Sequence, residues 1–126
     1  MNKGVENKLK QLKAEDKIWL IYIGIIFLSW FANSLERKYY VFNDQISKEK
    51  YRKVMIFIFS VLIIVYFYFL KSSLADIKNI KPTDSERKKT LVYLSFFGSF
   101  FILVSGLIFL FIALVDDDLS VELAFN

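Results

Sequence analysis

At 126 residues the chain has room for one domain, and it combines 56% hydrophobic and 18% aromatic residues with 24% charged ones. Mean hydropathy is +0.41 and the net charge is +4, with charged and apolar residues segregated into alternating blocks. It has neither cysteine nor histidine, which excludes disulfides, thiolate metal sites, haem held by either residue and histidine-dependent acid–base or triad chemistry.

The first seventeen residues form a basic arm. Val5, Leu9 and Leu12 recur at helical spacing among Lys3, Lys8, Lys10, Lys13 and Lys17. That pattern predicts a basic amphipathic helix that attracts anionic lipid headgroups, each near-surface cation contributing about 1 kcal/mol. A solvated tail obeying the positive-inside rule is the plainer alternative.

Three charge-free stretches follow, at 18–35, 54–70 and 91–115. A membrane-spanning helix needs roughly 17–25 apolar residues, so each is long enough. The third is the strongest. Eighteen of its 25 positions are Leu, Ile, Val or Phe, a composition that favours insertion by about 5 to 11 kcal/mol. None alternates with period two, which excludes an outer-membrane barrel strand. The expected fold is therefore an all-α integral membrane protein with three transmembrane helices. Ala32-Asn33-Ser34 resembles a small-x-small cleavage site, so the first stretch reads either as a signal anchor or as a signal peptide.

Between the first two stretches, 36–53 reads as a loop with Tyr39-Tyr40-Val41-Phe42 at the interface and Ser47 capping the next helix. After the second, Leu70, Leu74 and Ile77 form a short helical stripe. Pro82 discourages helix at Lys81, and Thr83-Asp84-Ser85-Glu86 matches a capping box that would start the third helix near Asp84. Spans two and three then form an extended helical hairpin that protrudes from the membrane. Lysine and arginine counts orient it. The arm and the 71–90 loop carry eleven, against six in the 36–53 loop and none in the tail, which predicts the N-terminus inside and the C-terminus outside.

Ser95, Gly98, Ser99, Ser105, Gly106 and Ala113 fall mostly three, four or seven residues apart in the third span. They read as one small-residue face for close helix packing, with leucine at Gly98 or Gly106 expected to disrupt it. Such a face would pack on spans one and two, or line an oligomeric pore. Beyond it, 116–126 is an acidic and apolar tail. Asp116, Asp117 and Asp118 oppose the helix macrodipole, and Leu119, Val121, Leu123 and Phe125 alternate as an extended strand would, offering a partner-binding edge.

No charged residue lies inside a span, and there is no phosphate loop, nucleophile elbow or dinucleotide fingerprint. Glu36, Asp44, Glu49, Asp76, Asp84 and Glu86 sit among lysines and read as solvated. No catalytic residue, cofactor or metal is implied, and no nucleic-acid motif accompanies the pI of 9.2. The excess of Lys over Arg and of Ile over Ala suggests an AT-rich bacterial genome. Two functions fit a small protein of the bacterial cytoplasmic membrane. One is a non-catalytic subunit or regulator of a membrane complex, working through protein–protein contacts. The other is a holin-like or defence-type permeabilising effector that oligomerises through its third span.

Overall fold

The computed structural model describes residues 2–121 and 123, in three helices: α1 (Lys3–Phe42), α2 (Gln45–Lys78) and α3 (Glu86–Val115). All three are long and apolar enough to cross a membrane.

The helices are longer than their charge-free segments because charge does not break a helix. At 1.5 Å per residue, α1 runs about 60 Å. It starts at Asn2, whose Oδ1 accepts from the Val5 N–H at 2.9 Å, and Glu6 lies in its favourable first turn. The basic arm is therefore continuous with the first apolar segment in a single helix. At the other end the expected 36–53 loop shrinks to two residues. Nothing between Glu36 and Phe42 stops a helix, and Asn43 is the first residue that readily turns left-handed, at φ 52°. Asp44 then caps α2, accepting from the Ile46 N–H at 3.1 Å and the Ser47 hydroxyl at 2.9 Å. The Ser47 hydrogen bond holds the Asp44 carboxyl below its ordinary pKa. Ser47, expected as the cap, instead donates to it.

The second connection is also displaced from its expected place. Asn79 closes α2 on the Ala75 carbonyl at 3.1 Å, helped by Lys78 in the last turn. Asp84 bonds back to the Lys81 N–H at 2.8 Å and pairs with Lys88 at 3.3 Å. That backbone bond to Lys81 is the main cause of its lowered pKa. A residue held in this turn cannot begin a helix, so Ser85 caps α3, taking the Lys88 N–H at 3.1 Å, in place of Thr83.

Packing follows heptads. Ile18, Ile25 and Ala32 of α1 are buried, as are Gly106 and Ala113 of α3. A seven-residue recurrence keeps one seam against a neighbouring helix in a shallow left-handed crossing. The neighbour in both cases is α2, whose Tyr51, Met55, Ile58, Phe59 and Leu62 form the centre of the core. α1 and α3 make no backbone contact with each other, so α3 packs on one helix where contact with two was expected. The result is an open row of three helices with α2 in the middle. Only 17% of the most apolar stretch of α1 and of α3 is buried. Trp19, Phe27, Trp30, Phe97, Phe101 and Phe111 are all exposed, so the outer sides of α1 and α3 are apolar.

Candidate functional site

The small-residue face divides into two. Ser99, Gly106 and Ala113 share the seam against α2: the Ser99 and Ser73 hydroxyls lie 3.0 Å apart, and a Cβ on Gly106 would come 3.1 Å from the Tyr66 ring. Gly98 has open space around its Cα and Ser105 is exposed, about 100° around the helix from that seam. Ser95 is exposed at the rim of a groove, described next.

Because α1 and α3 do not meet, a groove of about 300 Å³ opens between them, floored by α2. Tyr22 and Tyr66 form its inner end. Ser72, Ser73, Ser95 and Ser99 supply hydroxyls along it, and Gln11, Glu15 and Asp76 ring its outer end. Gln11 donates to Glu15 at 3.3 Å. The groove continues past Asp76 and Ser95 into a second hollow of about 350 Å³ lined by Arg87, Lys88, Leu91 and Val92. Glu15 and Asp76 were indistinguishable in sequence from carboxylates that face only solvent. The missing signal was register: Ser73 pairs with Ser99, so the first eight residues of the third charge-free segment lie beside the charged end of α2.

At the opposite end the acidic tail folds onto its own chain. Arg52 Nε donates to the Ala113 carbonyl at 3.2 Å, Nη2 reaches the Leu114 carbonyl, and Nη2 also meets Asp117 Oδ1 at 3.2 Å. One guanidinium thus satisfies orphan carbonyls at the end of α3 and offsets the acidic residues that follow. Asp116 binds the Ser120 N–H at 3.2 Å, the Ser120 hydroxyl and the Val121 N–H at 2.9 Å. Partial desolvation opposes ionisation of Asp116, but these bonds outweigh it and lower its pKa. The turn places Leu119 at φ 55°, an unusual conformation for leucine, with its carbonyl accepting from the Tyr40 hydroxyl at 3.1 Å.

The tail is therefore bent here and not extended. Leu119 is half-buried and Leu123 is buried in the cluster with Tyr51 and Met55, while Val121, Asp117 and Asp118 are exposed. Phe125 lies outside the described residues. Burial and the Glu36 carboxylate raise the Tyr51 pKa far above the ordinary phenol value, so it stays a neutral hydroxyl.

Lys3, Lys8, Lys10, Lys13 and Lys17 are all exposed along α1, with Lys10, Lys13 and Lys17 on one side at helical spacing. Val5, Leu9 and Leu12 are also exposed, uncovered by any other helix. Among the described residues no group of three or more acidic side chains is arranged to hold a metal ion. No protein family, curated protein or solved structure matches this chain.

Proposed function

We propose that this chain is a three-span integral protein of a bacterial cytoplasmic membrane and a non-catalytic subunit or regulator of a membrane complex. The observation that carries the choice of function is the occupied seam of α3. Ser99, Gly106 and Ala113 are taken up by α2, so the residues best suited to close helix contact serve the fold and are not free to line a pore. What α3 turns outward is mainly Leu, Ile and Phe, which suits lipid or the span of another protein and not a water-filled path. A second reading, the permeabilising effector, draws support from Gly98 and Ser105, a smaller pair of small residues left on the outer side.

Membrane insertion is supported by the outward-facing apolar side chains on all three helices. In this reading spans two and three form a helical hairpin whose closed end, around Pro82, lies in the cytoplasm. The N-terminus is inside, the tail is outside, and the arm lysines lie near anionic headgroups. The chain should stay in the pellet after carbonate extraction. Cysteines introduced at Thr83 and Val121, both exposed, report its orientation in intact cells through an impermeant thiol reagent. Labelling at Val121 alone is expected, and labelling at Thr83 alone would reverse the topology.

Expression of the chain by itself tests the function. A subunit leaves membrane potential intact and cross-links through α3 to a different membrane protein. Depolarisation by the isolated chain, abolished by Gly98→Leu, would replace this reading with the effector.

A further inference from the structure

We infer that the hollow between α1 and α2 binds one anionic phospholipid carrying two phosphates, cardiolipin, with the phosphates held by Lys13 and Lys17 and the acyl chains laid over Ile21 and Ile64. The inference deepens the membrane reading above, on which it rests, and is independent of the subunit role.

The hollow, about 470 Å³, is sorted by chemistry along its length. Lys10, Lys13 and Lys17 line one end at i, i+3 and i+7 of α1, so they share one face of the helix. Ile18, Ile21, Ile64, Val65 and Tyr68 line the rest. No carboxylate lines it: the arm's own acids, Glu6, Glu15 and Asp16, are not among its walls. The three lysines join no ion pair among the described residues. Like charges held together without a counter-charge repel one another, and a dianion relieves that repulsion more than a single phosphate does. Lys13 and Lys17 lie about 6 Å apart along the axis, a spacing suited to two phosphates joined by one glycerol bridge. Basic hollows between spanning helices are a recurrent site for such heads.

The order of the lining matches a lipid standing upright in its leaflet. Lys17 is the last residue before the first charge-free segment, and Ile18 and Ile21 lie inside it. On α2, Tyr68 lies two residues before the end of the second segment, and Ile64 is one turn deeper. Both helices therefore put the hydrocarbon edge at one height, where the exposed Trp19 and Tyr68 sit as interfacial aromatics do. The headgroup zone beyond that edge is about 5–8 Å deep. Lys17 and Lys13, about 1.5 and 7.5 Å outside Ile18, fall within it, and Lys10 stands at its outer rim. Cations lie outside and apolar side chains inside, which is the polarity of a phospholipid in that leaflet. Ile21 and Ile64 are exposed, so acyl chains can cover them.

Lys3 and Lys8 belong to the same arm but line no part of the hollow. A built site depends on the lysines that do, whereas diffuse attraction to an anionic surface depends on all five.

The full chain is purified in mild detergent, and native mass spectrometry reads its complexes with titrated cardiolipin and phosphatidylglycerol. One cardiolipin per chain should be retained, about fivefold more tightly than phosphatidylglycerol, the effect of engaging one further near-surface cation. Lys13→Gln with Lys17→Gln should abolish that preference. Lys3→Gln with Lys8→Gln removes the same charge and should leave it unchanged. All four lysines are exposed, so both double variants should melt with wild type before lipid is added. Equal retention of the two lipids by the wild type would overturn the proposal. So would equal losses in the two double variants, or a graded series of several cardiolipins per chain, either of which means diffuse attraction to the whole arm. A chain that stays in the pellet after carbonate yet shows no preference overturns the lipid site alone. Release by carbonate overturns the membrane reading with it.

Discussion

Gly106→Leu is expected to lower thermal stability in detergent by about 1–3 kcal/mol, the usual range for overpacking a close contact. A Cβ at that position would stand 3.1 and 3.2 Å from two carbons of the Tyr66 ring and 3.6 Å from Ile63. A leucine must therefore push α3 off α2 or turn Tyr66 out of its place. In a bilayer or micelle the lost dispersion contacts are not restored by any hydrophobic drive between helices. Gly98→Leu gives the contrast. Nothing lies within 4 Å of the position a Cβ would take there, so its effect should stay within about 0.5 kcal/mol, as for other exposed sites. The two glycines, eight residues apart, look equivalent in sequence. Equal destabilisation by both leucines would mean that a second surface covers Gly98.

Arg52→Ala is expected to cost about 2 kcal/mol and to release the tail. The guanidinium makes hydrogen bonds to two carbonyls at the end of α3 and an ion pair to Asp117. Hydrogen bonds to charged groups contribute about 1.5–3 kcal/mol each. The Arg52 side chain is 23% exposed and Asp117 is almost fully so. Solvent screening leaves little for the ion pair and puts most of the effect in the carbonyl bonds. Hydrogen exchange should therefore quicken at Asp116, Ser120 and Val121, with little change around Gly106. Arg52→Lys keeps the charge but not the fork, and should recover only part of the loss. An unchanged exchange pattern in Arg52→Ala would show that Leu123 and the Tyr40 bond hold the tail without it.

Asp116, Asp117 and Asp118 after an apolar helix are unfavourable on local grounds, because cations are preferred at a helix C-terminus. Arg52, 61 residues before Ala113 and 65 before Asp117, supplies a cation there: it binds the Ala113 carbonyl and pairs with Asp117. No local rule links Arg52 to Ala113, and in sequence Arg52 was one cation among the six of a loop. The alternation from Leu119 onward had the period of a strand, but the hydrogen bonds of Asp116 to Ser120 and Val121 give it a turn. Caps shifted for a related reason. Asp44 and Asp84 both compete for backbone N–H groups, and which residue wins depends on the turn each sits in.

Three helices of crossing length were legible from composition alone, because an unbroken apolar run of seventeen residues or more can satisfy its backbone in lipid only as a helix. Small residues at seven-residue spacing also marked a packing seam, since close approach of two helices needs them. Which small residues form that seam was a tertiary matter. Ser99, Gly106 and Ala113 meet α2 while Gly98 and Ser105 turn away, because helix rotation is set by Tyr66, Ile63 and Ser73 on the neighbour. The groove is tertiary in the same sense. It exists because α1 and α3 both choose α2 and leave a gap, and that gap brings Glu15, Asp76 and Ser95 together from three helices. Sequence periodicity reports what surrounds a helix on average, but only the register between helices decides which side chains share a space.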